Sequence, residues 1–64
     1  MNVQELSDRL RHPYLMCYTV VVMALKDIDN GDYNSAIARL RVDADKIRTV
    51  DKILYKMIIE GEQS

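Results

Sequence analysis

The strongest constraint on this chain is an apolar run from Tyr14 to Leu25 in which only Thr19 is polar. A membrane-spanning helix takes about 20 such residues, so this run is too short to cross a bilayer. Charged residues follow at once in Lys26-Asp27-Ile28-Asp29, which again speaks against a membrane. The run must therefore be sheltered by protein. A strand is one option, because Thr19-Val20-Val21-Val22 is β-branched throughout and such residues suit a pleated surface. A helix fits better. Tyr14, Tyr18, Val21, Leu25 and Ile28 recur at steps of 4, 3, 4 and 3, which places them along one helical face. No second strand pattern is available to pair with the run, and both flanks read as helix.

Pro13 and Gly31 divide the 64 residues into three helical segments of one all-α domain, spanning about 2–11, 14–29 and 33–60. Asn2 can cap the first, with Glu5 three residues on completing a capping-box-like start. Val3, Leu6 and Leu10 then share a face. The residue before a proline is pushed out of helical geometry, so this helix should end near Arg11 or His12. Pro13 suits the first turn of the second helix. Asn30-Gly31 tolerates the left-handed conformation that ends a helix, and Asp32 or Asn34 can cap the third. A straight helix over 33–60 would be roughly 42 Å long at about 1.5 Å per residue. The simplest architecture is a helical hairpin of the second and third segments, with the short N-terminal helix extending or closing its open end. The stretch Asn30-Gly31-Asp32-Tyr33 followed by Ala36-Ile37 and Leu40 resembles the turn and second helix of a single tetratricopeptide unit. Repeat proteins stack several such units, and no second copy occurs here, so the resemblance implies a hairpin and nothing about a ligand.

The third segment carries a heptad-like seam of Tyr33, Ile37, Leu40, Ala44, Ile47, Leu54 and Ile58, interrupted by Asp51. Such a seam suits near-antiparallel packing against the second helix. After Thr49 the pattern widens, because Val50, Ile53, Leu54, Tyr55, Met57, Ile58 and Ile59 cover nearly the whole circumference. A helix apolar all round must be enclosed on more than one side. The second segment has the same excess in Leu15, Met16, Val20, Val22 and Met23. A chain this short also buries only about 60% of the surface it exposes unfolded. Disulfides, metals, oligomerisation or very regular helix packing usually supply the remainder. Cys17 and His12 are the only cysteine and the only histidine, so an internal disulfide is impossible and a metal cluster improbable on composition. We therefore expect a homo-oligomer, a dimer first, that assembles the hairpins into a multi-helix bundle. The residues expected at that interface or at a protein partner are Tyr14, Tyr18, Val22, Val50, Ile53, Leu54, Met57 and Ile58. Tyrosine and methionine favour interface cores and adaptable surfaces.

Polar positions are weighed in the same way. Asp51 lies on the apolar seam, where a polar group can set register and oligomer state. It could instead snorkel to the rim or pair with Arg48 or Tyr55. Arg41, Arg48, Lys52 and Lys56 share one flank of the third segment, with Asp45 among them. Such a stripe could meet nucleic acid or an acidic protein, although a formal charge of −1 gives no general attraction to polyanions. Pairs such as Arg39–Asp43, Arg41–Asp45 and Lys56–Glu60 at i,i+4, and Arg48–Asp51 at i,i+3, add a few tenths of a kcal/mol each to a solvated helix. Asp27, Asp29 and Asp32 do not form a calcium loop, because placing Gly31 at its sixth position puts Lys26 and Ile28 where oxygen ligands are required. Cys17 falls inside the apolar run, where a thiol behaves as a small hydrophobe. His12 can interact with the last carbonyls of the first helix. We expect no enzyme, no cofactor and no metal. The N-terminus lacks the basic and apolar regions of a signal peptide, and a single cysteine suits a reducing compartment, so cytoplasmic placement is the expectation. The function expected is that of an adaptor, inhibitor or regulator of the kind found among bacterial or phage accessory proteins, acting on a larger protein. A nucleic-acid-binding regulator is the alternative.

Overall fold

The computed structural model describes residues 2–61, and among them every regular element is helical. In chain order these are α1 (Val3–Leu10), α2 (Thr19–Asp29), α3 (Tyr33–Val42), α4 (Ala44–Val50) and α5 (Lys52–Gly61). The all-helical expectation holds, but two of the expected boundaries do not. The second helix begins at Thr19 rather than near residue 14, and the expected 33–60 helix is broken twice.

At the N-terminus, Asn2 accepts the Glu5 backbone N–H at 3.0 Å, as a cap should. The Glu5 carboxylate turns to Arg9, which donates to it at 3.1 Å, so it does not complete the reciprocal box. Residues 11–18 then form a chain of turns. The Leu15 and Met16 N–H groups both donate to the His12 carbonyl, at 2.8 and 3.1 Å. Pro13 thus opens a turn rather than a helix. The turns drop Leu15 into the core while Tyr14, Met16 and Cys17 face outwards. Tyr18, in extended geometry, precedes α2. The β-branched run is helical all the same, because α2 buries Val21, Ala24, Leu25 and Ile28 along one face, and such burial overrides a weak local preference.

The α2–α3 hairpin closes as the sequence indicates. Gly31 has φ +78°, its N–H donates to the Ile28 carbonyl at 2.9 Å, and the Asp32 N–H reaches back to the Asp27 carbonyl at 2.8 Å. This is the paired arrangement in which glycine ends a helix. Asp32 then caps α3 by accepting the Ser35 N–H at 3.2 Å. Arg39 of α3 ties back to Asp27 of α2 at 2.6 Å, in place of its expected i,i+4 partner Asp43.

The breaks at Asp43 and Asp51 have a physical reason. The molecule measures 25 × 21 × 19 Å, whereas a straight 33–60 helix would run roughly 42 Å. Kinking twice returns Ile47, Leu54 and Ile58 to the same centre as Leu6, Leu10, Leu15, Val21 and Leu40, all wholly enclosed. Each fully buried aliphatic side chain contributes about 1.5–3 kcal/mol. Five short helices in place of one hairpin therefore shelter far more of the seam within one chain. Leu54 and Ile58, expected at an association surface, lie in the chain's own core.

Candidate interaction surface

The break at Asp51 determines which side chains of α5 remain outside. Asp51 itself is extended, at φ −149° and ψ 103°, while its N–H still donates to the Ile47 carbonyl of α4 at 2.8 Å. Its carboxylate accepts the Leu54 N–H at 3.0 Å and Arg9 Nη1 at 2.8 Å. Asp51 is thus the cap of α5 and the partner of α1 at once. Burial raises its pKa, but the Leu54 N–H, the Arg9 hydrogen bond and the Arg9 charge together outweigh that and hold it below the ordinary value of 3.8. Neither Arg48 nor Tyr55 pairs with it in this way. Arg48 lies over the Tyr55 ring instead, 5.5 Å from its centroid.

With α5 rotated so that Leu54 and Ile58 point inwards, Ile53 is left 55% exposed. Val50 and Met57 flank it, partly buried against the edge of the core. Ile53 and Met57, four residues apart on α5, share one face of it, and Val50 ends α4 just across the extended Asp51. Exposed Lys52 and Lys56 border this apolar strip. A second apolar exposure lies on the 11–18 turns. Tyr14 is 73% exposed and stacks on His12 with ring centroids 5.4 Å apart, while His12 Nδ1 accepts the Tyr14 N–H at 3.2 Å. Tyr18 and Val22 are half-buried, and Lys46 of α4 lies 5.9 Å over the Tyr18 ring. Of the eight residues expected to associate, Tyr14 and Ile53 are well exposed, Tyr18, Val22, Val50 and Met57 are edge positions, and Leu54 and Ile58 are core.

The basic flank is dispersed by the same breaks. Arg41 is on α3, Arg48 on α4, and Lys52 and Lys56 on α5. Arg48 and Lys52 do line a shallow open depression together, but Asp45 and Thr49 complete its wall. Thr49 Oγ1 donates to the Asp45 carbonyl at 3.3 Å. Cys17 is exposed rather than buried, and its Sγ donates to the Tyr14 carbonyl at 3.3 Å. No helix of the described residues is long and apolar enough to cross a membrane.

Sequence reading missed three features here. Arg9 is 42 residues from Asp51, and no periodicity links positions on separate helices. Met16 and Val42 are exposed apolar residues outside the eight expected to associate, although each lies away from the main apolar stripe of its segment. Comparison with family models, with curated proteins and with solved structures yields no match.

Proposed function

We propose that this protein acts by binding, as a small helical interaction protein that pairs with a second copy of itself and regulates or inhibits a larger protein. The observation carrying this reading is Ile53, left 55% exposed between Val50 and Met57 while its neighbours Leu54 and Ile58 are fully enclosed. The chain satisfies its core with one side of α5 and still presents an apolar strip on the other. Contiguous apolar exposure, rimmed by charge, is the usual mark of a protein-binding surface. Lys52 and Lys56 supply such a rim. Tyr14, anchored on His12, adds a large amphipathic ring of the kind enriched at interfaces. An exposed free thiol at Cys17 fits a reducing compartment such as the cytoplasm.

Solution mass by light scattering across a dilution series tests the pairing. The expected result is a dimer at micromolar concentration that Ile53→Glu converts to a folded single-chain species. A wild type of single-chain mass throughout, or a dimer that Ile53→Glu leaves intact, removes the reading. The second reading, a nucleic-acid-binding regulator, draws support from Arg48 and Lys52 sharing one depression. Retention on DNA or RNA that falls steeply with salt would support it, and absence of retention at low salt would end it.

A further inference from the structure

The junction between α4 and α5 is a single residue. Asp51 is helical on its N-terminal side, where its N–H completes the last turn of α4, and Lys52 is already the first residue of α5. Only one pair of backbone angles, φ −149° and ψ 103°, separates two helices from one.

The apolar pattern continues across this joint. On a joined helix Ala44, Ile47, Leu54 and Ile58 would lie on one stripe, and Val50, Ile53 and Met57 on the stripe beside it. Asp51 would stand four residues after Ile47 and three before Leu54, in the middle of the buried stripe. An unpaired carboxylate is expensive there. In the bent form the same carboxylate instead faces the Leu54 N–H and Arg9. The residue at the joint therefore opposes joining, and its two hydrogen bonds exist only when the chain is bent.

We infer that Asp51 is the lock on a hinge: the bent form holds α5 against its own α1 and α3, and the straightened form hands α5 to a second copy of the chain. A joined helix over 44–61 would be roughly 27 Å long, and the bent molecule is 25 Å in its longest dimension. Straightening thus carries Leu54 and Ile58 away from Leu6 and Leu10. The vacated place is shaped for α5, so the occupant that fits it is α5 of an identical chain. Exchange of an element about a short joint reproduces the native contacts in a dimer. The inference goes beyond the surface pairing proposed above, because its interface is the core of the fold rather than the Ile53 strip.

Substitutions at two adjacent positions test it. Asp51→Leu and Asp51→Ala both remove the lock, and only the first adds apolar bulk. Lys52→Pro blocks joining, since a proline there cannot donate to Arg48 and keeps residue 51 extended. It also suits the first position of a helix, so the bent fold should retain its helicity. Light scattering should show both Asp51 variants remaining dimeric at concentrations at least tenfold below those where the wild type is a single chain. Adding Lys52→Pro to either should restore the single-chain mass. Differently labelled Asp51→Leu dimers should mix subunits only as slowly as the chain unfolds. Four results would each overturn the hinge: wild-type masses for both Asp51 variants, unfolded monomers from both, dimers indifferent to Lys52→Pro, or loss of helicity on Lys52→Pro alone. A wild type that stays monomeric while Asp51→Leu dimerises would remove the surface pairing and keep the hinge, so the two ideas fail separately.

Discussion

The joints at Gly31 and Asp51 both connect packed helices, and they are held by different means. The α2–α3 joint is local. Gly31 supplies the left-handed residue, two backbone hydrogen bonds close the end of α2, and Asp32 caps α3. A Cβ at Gly31 would meet nothing within 4 Å, so glycine is there for its backbone alone. The α4–α5 joint has a local cap as well, the Leu54 N–H on Asp51, but it is also held from a distance, by Arg9, 42 residues away, and by a core that Leu54 and Ile58 complete. A joint made of local chemistry persists whenever its residues are present. One that also depends on long-range contacts persists only while the fold does.

The largest expected effect tests whether α5 belongs to this chain's core. Leu54→Ala should cost about 2–5 kcal/mol, the range for deleting an enclosed leucine side chain. In a domain this small, denaturant unfolding should show that as loss of most of the folded population at 25 °C. A cost under about 1 kcal/mol would place α5 outside the core and dissolve the contrast between the joints.

Next comes the long-range joint itself. Asp51→Ala should destabilise the bent chain by about 1–2 kcal/mol, the cost of a lost cap, measured by urea unfolding at high dilution. Part of that loss should be sensitive to salt, because Arg9 is released with it. The same carboxylate fixes an acid response. Its folded pKa lies below the unfolded value, so its contribution is fully present above the unfolded pKa and fades as pH falls through the folded one. Wild type should therefore lose stability below about pH 4, and Asp51→Ala should show a shallower loss over the same window.

The local joint should respond more weakly and differently. Gly31→Ala forces an L-residue to φ +78°, which costs about 1 kcal/mol, and thermal melts should show that cost unchanged by salt. A Gly31→Ala loss greater than that of Asp51→Ala would reverse the ranking of the two joints.

This difference also explains what could be read in advance. Helix α1, the Gly31 turn and the caps Asn2 and Asp32 announce themselves through residue types within four positions of one another. The apolar seam 33–58 is legible as well, but a heptad-like pattern fits a straight helix and one broken twice equally. Which it becomes depends on where Leu6 and Leu10 wait to be covered. Asp51 stood out as a polar residue on that seam, and its meaning did not, because its partner is on another helix. Residues 14–18 lie outside the expected second helix for a related reason: Leu15 is the single buried residue of that stretch, and an unbroken apolar run gives no sign of which member goes inside.

The smallest expected effect on stability separates the two faces of α5. Ile53→Glu lies one residue from Leu54, on the exposed side of the same helix. Substitutions at such positions usually change folding stability by no more than about 0.5 kcal/mol. Glutamate is also a good helix former, and Lys52 and Lys56 are close at hand. The variant should melt within a few degrees of wild type and still lose the dimer, which light scattering and a melt on the same sample would show together. If it unfolds as Leu54→Ala does, both faces of α5 are core, and the strip proposed for partners is part of what holds the chain folded.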